Sequence, residues 1–151
     1  MLKIIALGSD HAGFELKEKI KQYLEKRELK IKDYGCYSEE SVDYPDYAEK
    51  VARTVANGKA EKGIVICGTG IGMSMAANKV LGIRAALCWN EETAEMSRKH
   101  NDANILCLGA RMIDHEKALR IVDIWLKTNF EGGRHRRRVN KISIIEKSVD
   151  Q

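Results

Sequence analysis

The sequence predicts an α/β protein: a Rossmann-like, doubly wound sheet of five parallel strands with helices on both faces. Three observations predict it. Five short apolar runs of four to six residues are separated by charged stretches with helical spacing. The alternation of strand and helix holds from one end of the chain to the other. The 151 residues, 44% hydrophobic and 32% charged, suit one ordinary domain over 1–151, with no linker, internal repeat or low-complexity tract.

The first strand is expected over 4–7. Its apolar lead-in stops at Ser9, Asp10 and His11, too soon for a signal peptide. Phe14, Leu16, Ile20, Tyr23 and Leu24 then recur at helical spacing, and a second strand is expected over 29–34. The single proline, Pro45, closes a loop and opens a helix with Tyr47, Ala48, Val51, Ala52 and Val55 on its apolar side. A third strand over 63–67 runs into a glycine-rich loop. A fourth, over 83–88, precedes a weaker stripe of Thr93, Ala94, Met96 and Ser97. After a fifth strand over 105–108 comes the clearest stripe: Ala118, Leu119, Ile121, Val122, Trp125 and Leu126. Gly132 and Gly133 form a joint. Beyond them a helix from 134 to about 147 carries Val139, Ile142, Ile145 and Val149 along one side. That helix either packs on a partner subunit or folds back on its own domain.

Composition narrows the function. No apolar run approaches the roughly 20 residues that span a bilayer, so no membrane partner is expected. Cys36, Cys67, Cys88 and Cys107 contain no CxxC pair, and three of them sit in apolar runs. Free thiols and a cytoplasmic location follow as expectations. The net charge of +4 is concentrated in Arg134, Arg136, Arg137, Arg138 and Lys141. Such a local cluster suits one anionic ligand better than nucleic acid, and no aromatic platform accompanies it. No His, Asp or Glu set has metal-ligand spacing, so neither a metal nor a cofactor is expected.

In a doubly wound sheet, ligands bind at the carboxyl ends of the strands. The first strand ends in Gly8-Ser9-Asp10-His11-Ala12-Gly13, where Asp10 either caps the next helix or, with His11, faces the cleft. The third strand ends in Cys67-Gly68-Thr69-Gly70-Ile71-Gly72-Met73-Ser74. Glycines at alternate positions let the backbone approach a ligand, and N–H groups at a helix start favour an anion or an oxyanion. The loop is neither a Walker loop nor a dinucleotide fingerprint. Cys67 is either a buried structural thiol, as Cys88 and Cys107 are expected to be, or a base or nucleophile, since the nest of donors beside it favours the thiolate. His100, just ahead of the fifth strand among polar neighbours, is either an ordinary surface histidine or an acid–base group. Arg111 follows the fifth strand. Arg134 and Arg138, four apart, share a helix face suited to phosphate oxygens or simply to solvent.

These segments, with Asp43-Tyr44-Pro45-Asp46-Tyr47-Ala48, Ala76-Ala77-Asn78-Lys79, His100-Asn101-Asp102-Ala103-Asn104 and Glu131-Gly132-Gly133-Arg134-His135, resemble the ribose-5-phosphate isomerase B family over nearly the whole chain. The wider family includes galactose-6-phosphate and allose-6-phosphate isomerases. The resemblance implies interconversion of ribose 5-phosphate and ribulose 5-phosphate through a cis-enediolate, without metal, in the non-oxidative pentose phosphate pathway. It implies Cys67 as base and the loop from Gly68 through Thr69, Gly70 and Ile71 to Gly72 as holder of the enediolate oxygens. It further implies His100 in ring opening, Asp10 on sugar hydroxyls with Asn101 nearby, and His11, Arg111, Arg134 and Arg138 on the phosphate. A second branch of the family uses a Glu where this chain has Met73. The resemblance also implies a homodimer or homotetramer with active sites shared between subunits, which favours partner packing of the last helix. Two alternatives stand beside this: isomerisation of a hexose 6-phosphate, and a non-catalytic sugar-phosphate or nucleotide-binding module.

Overall fold

The computed structural model describes residues 3–148. Its strands are β1 (Ile4–Ser9), β2 (Lys30–Asp33), β3 (Lys62–Cys67), β4 (Ala85–Leu87) and β5 (Ile105–Gly109). All pair in parallel, in the order β2-β1-β3-β5-β4. The helices are α1 (Phe14–Glu25), α2 (Tyr44–Ala56), α3 (Ile71–Ala77), α4 (Glu91–Lys99), α5 (His115–Lys127) and α6 (Arg134–Lys147). The five-stranded parallel sheet covered on both faces is the architecture expected from the apolar runs.

Strand residues alternate between the two faces, and each face buries its own core. Ile64 and Ile66 of β3 join Leu106 and Leu108 of β5 against Leu16, Ile20 and Leu24 of α1, Ala94 of α4, and Ile121 and Trp125 of α5. Val65 and Cys67 face the other way, with Cys107, onto Val51 and Val55 of α2 and Met73 and Ala77 of α3. Burial on both sides is why β3 and β5 read as unbroken apolar runs.

The outer strands depart from expectation. β2 covers only 30–33 and alternates exposed with half-buried residues, and β4 has three half-buried residues. Both are sheet edges, so neither is buried as the central strands are. Ile83 lies in the preceding turn, its N–H on the Val80 carbonyl. The Asn78 side chain covers the free side of β4: its Oδ1 accepts the Ala85 N–H at 2.8 Å and its Nδ2 donates to the Ala85 carbonyl at 3.0 Å.

Two features of the topology position the site. The chain leaves β1 for β2 and returns to the other side of β1 as β3, which opens a cleft at the carboxyl ends of those two strands. In the β3–β5 pair, Gly63 is level with Ile105 and Cys67 with Gly109. Four residues at ~3.3 Å each separate the two edges by about 13 Å.

α6 stands largely apart from this frame. Only His135 and Val139 are buried, while Ile142, Ile144 and Ile145 are exposed. Val149 of the expected apolar side lies outside the described residues.

Candidate active site

β3 delivers Cys67 to the carboxyl edge, where the residue is 5% exposed. The loop then doubles back, and the Gly70 N–H donates to Cys67 Sγ at 3.1 Å. Gly70 adopts φ +80°, and a Cβ there would lie 2.5 Å from Leu87 Cδ1 and 2.9 Å from the Leu108 carbonyl carbon. Only glycine permits the turn that aims this N–H at sulfur. The segment after β5 clasps the same loop: Ala110 N–H donates to the Cys67 carbonyl and Arg111 N–H to the Gly68 carbonyl, both at 2.9 Å.

The rest of the loop is organised in the same way. Thr69 Oγ1 accepts the Ile71 N–H at 3.2 Å. Gly72, in the first turn of α3, has no intrahelical acceptor for its N–H, and the Tyr44 ring lies against its Cα. The Arg111 guanidinium sits over Gly68, 3.4 Å from where a Cβ would be. Met73 is fully buried among apolar side chains and carries no group that takes a proton.

β1 brings Asp10 and His11 to this edge. Asp10 is buried, and its Oδ1 accepts the Gly13 N–H at 3.1 Å. Asp10 does not cap α1, whose N-cap is Gly13 with no side-chain cap bond; its carboxylate instead closes the turn that leads into the helix. Gly13 is required by proximity, since a Cβ would meet the Ile66 carbonyl oxygen at 2.6 Å. His11 Nδ1 accepts the Val42 N–H at 3.1 Å. In the neutral ring the proton then resides on Nε2, which is left as a donor. Cys67, Gly68, Thr69, Gly70, Ile71, Gly72, Asp10, His11 and Arg111 thus share one edge.

His100, Asn101, Arg134 and Arg138 do not join them. Helices after parallel strands run back, so the C-termini of α4 and α5 lie at the amino edge, and His100 is the C-cap of α4. Its ring stacks on His135 at 4.2 Å between centroids and 11° between planes. Glu131 Oε1 lies 3.9 Å from His100 Nε2 and 3.5 Å from His135 Nε2. The Glu131 N–H donates to the Lys99 carbonyl, tying the loop before α6 to the end of α4. Burial first, then the nearby His100 and Arg134, hold the His135 imidazole below its ordinary value. Arg134, Arg136, Arg137, Arg138 and Lys141 are all exposed.

Several supporting residues gave no signal in the sequence. Lys17 lies within a helical stripe yet is fully buried, reaching both Asp33 carboxylate oxygens at 2.8 and 2.9 Å. Asp33 also accepts from Lys21 and from the Gly35 N–H, and Gly35 in turn accepts the Ser9 N–H at the end of β1. Burial pushes the Asp33 carboxyl up, but Lys17 and the Gly35 N–H outweigh it and leave it below its ordinary value. Arg98 and Asp102 pair at 3.0 Å and hold the turn after His100. Only an i,i+4 spacing hinted at that pair.

The chain matches the Ribose/Galactose Isomerase family over residues 5–142. It is 50% identical to ribose-5-phosphate isomerase B of Escherichia coli over 145 residues, 96% of this chain and 97% of that protein. The fold is similar to that of Clostridium thermocellum ribose-5-phosphate isomerase B, with TM-score 0.96, 56% identity and coverage of 97% of this chain and 99% of that one. It is also similar to ribose-5-phosphate isomerase B of Mycoplasma genitalium with bound ribulose-5-phosphate, with TM-score 0.94, 46% identity and coverage of 98% and 99%. A family match across the whole sheet, and relatives aligned almost end to end at about half identity, leave one assignment: the chain belongs to the ribose/galactose isomerase family.

Proposed function

We propose that the chain interconverts ribose 5-phosphate and ribulose 5-phosphate through an enediolate, with Cys67 as the base. The observation that carries this reading is the buried sulfur at the carboxyl edge, receiving the Gly70 N–H within a loop that tolerates no side chain at that glycine.

The chemistry requires two things. A proton beside a carbonyl must be removed from one carbon and returned to its neighbour, and the negative charge on oxygen must be held meanwhile. A thiolate at Cys67 performs the transfer, and a positioned base contributes roughly 10²–10⁴-fold. The Gly70 N–H serves the sulfur and the Ile71 N–H serves Thr69, so the enediolate oxygens fall to the other loop N–H groups, Gly72 among them. Asp10 accepts from sugar hydroxyls. The His11 Nε2–H and the Arg111 guanidinium bind phosphate oxygens.

The residues at the amino edge enter through a second copy of the chain. Ring opening by His100, support from Asn101, and phosphate binding by Arg134 and Arg138 cannot reach Cys67 of the same chain across about 13 Å of sheet. A homodimer, or a homotetramer of such dimers, that sets the amino edge of one chain against the carboxyl edge of the other unites both halves. The exposed Ile142, Ile144 and Ile145 of α6 support this arrangement. Four free cysteines suit a reducing cytoplasm. Among the described residues no helix is long and apolar enough to cross a membrane.

The test is a coupled assay comparing ribose 5-phosphate with allose 6-phosphate and galactose 6-phosphate. The highest kcat/KM is expected for ribose 5-phosphate. Faster turnover of either hexose phosphate would reassign the substrate. Binding of all three without turnover would reduce the chain to a binding module.

A further inference from the structure

His100 stands about thirty residues before Glu131 and His135 in sequence, but the fold brings one ligand atom of each within 4.8 Å of the others. Two imidazole nitrogens and one carboxylate oxygen are the donor set that zinc-class divalent ions select. In a tetrahedral site with bonds of about 2.0–2.1 Å, ligand atoms lie about 3.4 Å apart. The Glu131–His135 separation of 3.5 Å is already at that value, and the Glu131–His100 separation of 3.9 Å is close to it.

A second observation points to a ligand. His135 is the buried member of the trio, its side chain 8% exposed, and its Nε2 has no hydrogen-bond partner among the described residues. A buried imidazole nitrogen left without a partner is costly, and this one faces Glu131. His100 is 39% exposed at the end of α4 and can turn its ring out of the stack, so that its lone pair converges with that of His135. The fourth position would be open to water.

We propose that His100, Glu131 and His135 form a binding site for a zinc-class divalent ion. The ion takes up the Nε2 lone pair of His100 and withdraws that group from ring opening. The consequence for turnover rests on the isomerase reading above, whereas the binding does not.

Cobalt(II) titration of the chelator-treated full-length protein, followed by visible absorption, tests the site. A saturable band at one ion per chain is expected, without thiolate charge transfer and unchanged in Cys67→Ser. Glu131→Gln, at an exposed position, should weaken the affinity at least about tenfold, and His135→Asn should do the same. No saturable binding would overturn the proposal, as would a thiolate band lost in Cys67→Ser. Unaltered affinity in Glu131→Gln would overturn it too, whether or not His135→Asn folds. In the activity arm, zinc should inhibit the wild type, reversibly with chelator, at a concentration at least about tenfold below that needed for Glu131→Gln. Full turnover with the ion bound would overturn the withdrawal of His100.

Discussion

At the carboxyl edge Cys67 is almost enclosed, its loop held by the strand before it, by the backbone after β5 and by a glycine with no room for a side chain. At the amino edge His100 is far more open, stacked on a second histidine beside a run of exposed arginines. The first arrangement fixes one atom in place. The second gathers charge and leaves its members room to move. Proton transfer at carbon needs the former, while capture of a phosphate and opening of a sugar ring can use the latter. Under the two-chain site proposed above, the two ends of one parallel sheet are specialised separately because neither has to complete the site alone.

The sharpest way to break this contrast is Cys67→Ala. Turnover should fall about 10²–10⁴-fold, with the melting temperature little changed, as steady-state kinetics and thermal unfolding would show. Retained turnover would remove the thiol from the reaction. Next in size is Asp33→Asn, which leaves Lys17 buried with a weakened partner and should cost about 3 kcal/mol in denaturant unfolding. The Asp33 carboxyl is held below its ordinary value, so its contribution is complete above the usual carboxylate range near pH ~4 and is lost as pH falls through the lowered value. The wild type should therefore lose stability on acidification more steeply than the variant. Third, equal amounts of Cys67→Ala and His100→Ala, exchanged between subunits, should regain about a quarter of wild-type activity if each site joins opposite edges of two chains. No recovery would place the whole site in one chain. Smallest, Arg53→Ala removes an exposed pair with Glu49 at 2.8 Å and should shift stability by under about 0.5 kcal/mol.

Much of this was legible in the chain itself, for identifiable reasons. The central strands β3 and β5 are buried on both faces, so they read as apolar runs with nearly correct limits. β2 and β4 are edges, and their half-burial blurred those limits. The glycine loop was conspicuous because close backbone packing demands glycine at Gly70, but the bond from its N–H to Cys67 Sγ is a matter of dihedral angles that no residue type announces. Lys17 is the clearest omission: a lysine in an apolar stripe reads as solvent-facing, and only the position of Asp33 in β2 shows why it can be buried. The trio of His100, Glu131 and His135 was hidden by distance, since His100 ends one helix and the other two flank the start of another.

The strand order carries a consequence for synthesis. β4 is made before β5, but β5 lies between it and β3, so β4 has no strand to pair with until residues 105–109 emerge. Until then β3 has no neighbour on its Cys67-to-Gly109 side, and the loop that cradles the sulfur lacks the backbone that clasps it. On the ribosome, Cys67 is translated near the middle of the chain and walled in only after roughly two-thirds of the chain has appeared. A nascent chain stalled before residue 105 should expose Cys67 to alkylating reagents that the finished fold largely excludes.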